Sequence, residues 1–227
     1  MDASALLSAR DVVKSFSQDG SPVQALRGVS LDVAAGEFVA IVGRSGSGKS
    51  TLLSVLSTLL RPDAGRLLYD GGDLAAASEA GSNALRQRDF AVIFQFHYLL
   101  PYLTALENTL LPFMRGLRPV SGAQRRRALE CLERVGLVGK AGRLPGQLSG
   151  GEQQRVAIAR ALVKDARVLF ADEPTGSLDS ATGATVMALL RELPAEGLAV
   201  VMVTHNEEYA RLAHRVVRME DGAVVPA

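Results

Sequence analysis

Apolar positions follow two different periods along this chain, and the changes between them mark out its elements. Val29, Leu31 and Val33 alternate with Ser30, Asp32 and Ala34, the period of two that belongs to a half-exposed strand, and 34–36 closes it. Phe38 through Val42 is instead a continuous apolar run. It enters a glycine-rich loop at Gly43 and leaves through Thr51, Leu52, Leu53, Val55 and Leu56 at helical spacing, which predicts a buried parallel strand feeding a helix. Further strands are expected at 66–69, 90–94, 168–171, 198–204 and 215–219, with Asp221-Gly222 turning the last into a hairpin with 223–225. The first ninety residues therefore read mostly as strands, with an antiparallel layer among them.

Between residues 99 and 163 the strand signal gives way to helical patterns. Ser121 with Gln124 forms a capping box ahead of Leu129, Leu132 and Val135; Ser149 with Glu152 forms another ahead of Val156, Ala159, Leu162 and Val163. Cys131 reads as a small packed hydrophobe on the helix around 128–135, and His214 falls in a helical stretch. The expected class is α/β, a single domain over 1–227. Residues 1–98 and 164–227 form a mixed-sheet core with an antiparallel β layer, and residues 99–163 form an inserted helical subdomain.

The composition agrees with one such unit: 227 residues, 48% hydrophobic and 22% charged. A net charge of +1 offers no global field for nucleic acid or an anionic membrane. The longest plain apolar run, 198–203, falls far short of a membrane span, and residues 1–10, with the acidic Asp2, lack the basic start and apolar core of a secretion signal. A single cysteine excludes an internal disulfide framework and a cysteine-based zinc cluster.

Gly43-Arg44-Ser45-Gly46-Ser47-Gly48-Lys49-Ser50-Thr51 matches the phosphate-binding loop pattern, between a buried strand and a helix as the mechanism requires. Glycines let backbone N–H groups converge on phosphate oxygens, the helix N-terminus adds its positive end, Lys49 reaches the terminal phosphates and Ser50 ligates Mg²⁺. Val168-Leu169-Phe170-Ala171-Asp172-Glu173 is an apolar strand ending in two carboxylates. Adjacent acids after a strand are commonly solvated turn residues. Ligands of a parallel sheet sit beyond the carboxyl ends of its strands, however, so Asp172 can share the Mg²⁺ shell with Ser50 while Glu173 faces an attacking water. A third element is Leu148-Ser149-Gly150-Gly151-Glu152. A helix cap explains Ser149 and Glu152, but not why two glycines, which weaken a helix start, stand between them; a second anion site does.

With these motifs the chain resembles the ATP-binding subunits of ABC transporters, over essentially its whole length. The family's motifs come in order: the loop at 43–51, Gln95 after strand 90–94, the signature at 148–152, Asp172 and Glu173, Ser177-Leu178-Asp179, and His205 after strand 198–204. The resemblance implies a P-loop ATPase cassette that closes head to tail with a second copy around ATP. Ser149, Gly150, Gly151 and Glu152 of one chain would then complete the γ-phosphate site built on Lys49 of the other. By the same resemblance Glu173 is the general base, His205 holds the γ-phosphate and the attacking water, Gln95 senses Mg²⁺ and the water, and Asp179 links the two sites. Phe16 matches the aromatic that stacks on adenine; that position is more often Tyr, and an ordinary strand residue is the alternative. Asn206 stands where many relatives carry Asp, which puts the orientation of the loop after His205 in question. His97 and His214 are read as solvated or packing residues.

Phe94-Gln95-Phe96-His97-Tyr98-Leu99-Leu100-Pro101, continuing to Asn108, and Glu173-Pro174-Thr175-Gly176-Ser177-Leu178-Asp179 are similar to the lipoprotein-releasing and macrolide-exporter group (LolD/MacB-like). That likeness implies a separate membrane permease with few spanning helices and a large periplasmic domain. It also implies a peripheral place on the cytoplasmic face of the bacterial inner membrane, and a part in lipoprotein release or export. Residues 96–103 are unusually apolar for a loop, which suits docking of a short partner helix; packing under the helical subdomain is the other reading. A cell-division type of cassette that signals through a membrane partner shares these features. DNA-repair relatives separate the phosphate loop from the signature by long coiled coils, whereas here Lys49 and Ser149 are 100 positions apart. Arg125-Arg126-Arg127 reads as a solvated first helical turn, and no nucleic acid is expected as a partner.

Overall fold

Five consecutive apolar residues with no polar alternation can be buried only where a sheet is covered on both faces, and β3 (Phe38–Val42) lies in such a sheet. In a computed structural model of the chain, which describes residues 5–18, 21–74, 78–114 and 119–225, two sheets form. The smaller has the order β2-β1-β4-β5 and is antiparallel throughout, from β1 (Ala5–Gln18), β2 (Ser21–Ala34), β4 (Ala64–Tyr69) and β5 (Gly72–Asp73). The larger has the order β10-β9-β3-β8-β7-β6, with β6 (Phe90–Ile93), β7 (Val168–Asp172), β8 (Ala199–Val203), β9 (Arg215–Glu220) and β10 (Ala223–Val225). Its strands run parallel except β10, which returns antiparallel on β9 through the Asp221-Gly222 turn.

The pleat sorts each central strand between two cores. Phe38, Ala40, Val42, Leu169, Ala171, Val200 and Met202 face one side. They pack there with α3 (Ala105–Leu110), α4 (Gly122–Arg134), α5 (Gly150–Leu162) and α6 (Ser180–Glu192). Val39, Ile41, Val168, Phe170, Val201 and Val203 face the other, against α1 (Lys49–Leu56), Leu85 of α2 (Glu79–Arg88) and the antiparallel sheet. Each fully buried Val, Ile or Phe contributes about 1.5–3 kcal/mol, so this double burial fixes the strand order and, with it, the row of strand ends that carries the chemistry. A short helix, α7 (Glu207–Ala210), follows β8.

The capping boxes at Ser121 and Ser149 both form. Three elements differ from the sequence reading. Helix α1 forms where the spacing after Gly43 predicts one, but α2 also lies among the first ninety residues, where no helix was expected. Helix α6 fills the stretch between β7 and β8, for which no element was expected; Asp179 caps it by accepting from Thr182 N–H at 3.0 Å. His214 lies in the turn between α7 and β9, not in a helix: its Nδ1 accepts from Phe38 N–H at 3.1 Å, and its own N–H donates to Phe38 O at 2.8 Å. A strand end must place its backbone groups somewhere, and His214 closes the account for Phe38.

Candidate active site

Parallel strands β3, β8, β7 and β6 end side by side, and the loops leaving them share one space. It is an open cleft of about 410 Å³, lined by Ser45, Gly46, Gly48, Lys49, Ser50 and Thr51 after β3, Gln95 after β6, Glu173 after β7, and Val203 and His205 at the end of β8, with Ala25 from β2 at its rim.

The loop after β3 takes its shape from glycines used where no other residue fits. Gly48, at the N-terminus of α1, has φ +94°, and a Cβ there would stand 2.4 Å from Ala25 O; at Gly43 a Cβ would stand 2.2 Å from Met219 O. Gly48→Ala is therefore expected to cost about 1–3 kcal/mol, lowering the melting temperature by about 2–4 °C per kcal/mol in a calorimetric scan. An unchanged melting temperature would show that the loop relaxes freely. The loop bends back over Lys49, whose buried ammonium donates to Gly43 O at 2.9 Å and Arg44 O at 2.8 Å. Arg44 itself is exposed.

Ser50 Oγ donates to Asp172 Oδ1 at 3.1 Å, so the hydroxyl and carboxylate face one another across the cleft floor. Burial pushes the Asp172 carboxyl up from its ordinary value; the Ser50 hydrogen bond opposes this and the nearby Glu173 adds to it. Glu173 follows in the left-handed region at φ +46°, a conformation that costs a non-glycine residue about 1–3 kcal/mol and persists only where its surroundings hold it. Its N–H donates to Val203 O at 2.9 Å, and its carboxylate Oε1 lies 2.8 Å from His205 Nδ1. The sharp turn swings Glu173 into the cleft directly after Asp172.

The remaining candidates lie elsewhere. Ser149 caps α5, accepting from Glu152 N–H at 3.3 Å, while the Glu152 carboxylate accepts from Ser149 N–H at 3.0 Å and pairs with Lys140. Ser149 and Gly150 are exposed, and none of Ser149 to Glu152 lines the cleft of its own chain. Asp179 also stands outside it, with both oxygens bonded to Thr182. Phe16 is exposed on β1, pairs with Val23 and lies under the Lys14 ammonium, 5.9 Å from the ring centroid. Asn206 does the work an Asp would: its Oδ1 accepts from Glu208 N–H at 2.9 Å and Tyr209 N–H at 3.2 Å, capping α7 and ordering the loop after His205.

Two residues escaped the sequence reading. Gln154 is fully buried and bonds both His97 and Pro174 O, and Arg160 donates to the carbonyls of His97 and Tyr98. Both sit on α5 behind the signature, where the sequence shows them only as two of several polar positions, beside Glu152, Gln153 and Arg155.

A family model described as ABC transporter matches residues 26–176. The chain belongs to the ABC transporter ATP-binding family. The cassette is 46% identical over 96% of its length to a lipoprotein-releasing system ATP-binding protein, LolD 2, of Rhodopirellula baltica, covering 88% of that protein. It is 48% identical over 97% of its length to the macrolide export ATP-binding/permease protein MacB 1/2 of Paracoccus denitrificans, but spans only 33% of that relative. Among solved structures it matches the ATP-binding cassette MJ0796, described as a dimer in a post-hydrolysis state bound to ADP and Pi. The TM-score is 0.90, with 40% identity and 97% of each chain covered. It is thus an ATP-hydrolysing P-loop cassette with a mixed-sheet core and helical part, related to the lipoprotein-release and macrolide-export ATPases.

Proposed function

We propose that two copies of the cassette close head to tail around ATP and drive a membrane permease in lipoprotein release or export. The observation that carries this is the single cleft in which loops from four neighbouring parallel strand ends bring Lys49, Gln95, Glu173 and His205 together. Lys49 and the amides of 43–51 bind the phosphates, and Phe16 stacks on adenine. Glu173 takes the proton of the attacking water, with His205 orienting its carboxylate and Gln95 positioning the water from the opposite wall. Ser149 and Gly150, exposed, and Gly151, half-buried, lie outside their own cleft and fit completion of the partner copy's site, with Glu152 holding their cap and Asp179 near the junction. The dimeric form of the MJ0796 relative supports this arrangement.

The donor set fits Mg²⁺. Ser50 and Asp172 offer hard oxygens 3.1 Å apart, and a cation would offset the burial that raises the Asp172 carboxyl. Among the described residues no group of three or more His, Cys, Asp or Glu could hold a metal ion. Ser50 and Asp172 would hold the ion, with Gln95 beside them. When bound, Mg²⁺ supplies charge to the phosphates.

Among the described residues no helix is long and apolar enough to cross a membrane. Phe96, Tyr98, Leu100 and Tyr102 are 67%, 63%, 48% and 91% exposed, a cluster of large side chains on the 96–102 loop that suits docking of a short permease helix. In this reading the cassette works peripherally on the cytoplasmic face of the inner membrane, without nucleic acid as a partner. A tagged Glu173→Gln chain, expressed in the native host with ATP and purified in detergent, is expected to bring down a permease with few spanning helices and a large periplasmic domain. Recovery of a many-helix permease, or of DNA or ribosomes, would overturn the assignment.

A further inference from the structure

We propose that Gln154 is a positioning residue for Glu173, held in its working orientation by His97. The inference rests on the reading of Glu173 as general base. Glu173 occupies a backbone conformation that its surroundings must impose, at φ +46°. On its N-terminal side the fastening is Glu173 N–H on Val203 O at 2.9 Å; its own carbonyl accepts from Gly176 N–H at 3.0 Å. The next residue, Pro174, has no N–H, so its carbonyl is the one backbone polar group by which it can be held. Gln154 Nε2 donates to that carbonyl at 2.9 Å from a fully buried position on α5.

The other end of the same amide is equally constrained. Pro174 O can only accept, so the NH₂ of Gln154 must face it and Oε1 must face His97, whose Nδ1 lies 2.6 Å away. The imidazole therefore carries its proton on Nδ1. His97 is in turn held by Arg160, farther along α5, which donates to His97 O at 2.8 Å and Tyr98 O at 2.7 Å. Gln95, two residues before His97, lines the cleft. One helix, beginning at Ser149, thus fastens both the base-bearing turn and the exposed aromatic loop, and the His97–Gln154–Pro174 chain is the direct line between them. Without a donor at position 97, Gln154 Oε1 loses its partner, the amide is free to turn, and the turn after Glu173 loses its only side-chain tether on that side among the hydrogen bonds of the described residues.

The test is steady-state ATP turnover of the 227-residue chain with Mg²⁺, with ATP affinity measured separately by calorimetry. Asn places its Nδ2 where His97 has Nδ1, whereas Leu places a methyl group there. His97→Leu and Gln154→Met are expected to lower kcat about tenfold, as small misplacements of a reacting group do, with KM for ATP changed by less than about twofold. His97→Asn is expected to restore kcat to near the parent value. A purely structural role would not give that split between kcat and KM, nor that rescue. Unchanged kcat in His97→Leu and Gln154→Met, or an equal loss in His97→Asn and His97→Leu, would overturn the proposal. If Gln154→Met fails to fold, the half-buried His97 pair decides alone. Glu173→Gln in the same assay separates the two readings. Full turnover in that variant removes the base itself, while a dead Glu173→Gln beside His97 variants of parent rate removes only the positioning role.

Discussion

Glu173→Gln is expected to lower ATP turnover by about 100- to 10,000-fold, the contribution of a positioned general base, while ATP stays bound. The amide has the shape of the carboxylate and can keep its contact with His205 Nδ1, now 2.8 Å from Oε1, but it cannot accept the proton of an attacking water. The groups read as holding the nucleotide, Lys49, Ser50 and the loop amides, lie on a different strand end and are untouched. Binding therefore survives the loss of chemistry, and the head-to-tail dimer accumulates. Size-exclusion chromatography with ATP and Mg²⁺ is expected to show that dimer; a monomer alone would sink the head-to-tail arrangement, and parent-level turnover would sink the base assignment.

Lys49→Ala is expected to act earlier, on binding. Its ammonium is mostly buried and is held over the loop by Gly43 O and Arg44 O, so it meets an incoming phosphate already desolvated and oriented. A hydrogen bond to a charged group contributes about 1.5–3 kcal/mol, and at 1.4 kcal/mol per tenfold this predicts ATP binding weaker by about 10- to 150-fold. The substitution also releases the two carbonyls that Lys49 gathers, which loosens the loop and adds to the loss. Calorimetric titration with ATP measures it, and an unchanged affinity would take Lys49 out of the site. The contrast between the two variants is the informative part: one removes turnover at intact affinity, the other removes affinity first.

How far the fold was legible depended on how local its determinants were. Parallel strands buried on both faces read as plain apolar runs, so β3, β7 and β8 were evident at 38–42, 168–171 and 198–204. Strand β1 was not resolved as an element. Its pairing with β2 shifts register between Ala9 and Val12 and again between Lys14 and Ser15, which breaks the alternation that marks a half-buried strand. Helix α2 buries only Leu85, so it presents almost no apolar stripe. Helix α6 carries Thr182, Gly183 and Thr185, weak helix formers; a Cβ at Gly183 would stand 2.7 Å from Tyr209 Oη, a tertiary closeness invisible in the chain.

The site divides in the same way. Taken alone, the sequence determined the phosphate loop, the two acids after β7, the capped signature helix and the membership of the family, because each is a short run whose chemistry depends on near neighbours. Only the tertiary structure decided that Gln95, Glu173 and His205 share a cleft with Lys49, that His214 closes the backbone of Phe38, and that Gln154 joins Pro174 and His97. Those last partners lie 20 and 57 positions from it along the chain. A hydrogen bond between distant residues leaves no periodicity and no motif; it exists because two hydrophobic cores set the order of the parallel strands and pressed α5 against their ends, and polar groups trapped there had to find one another.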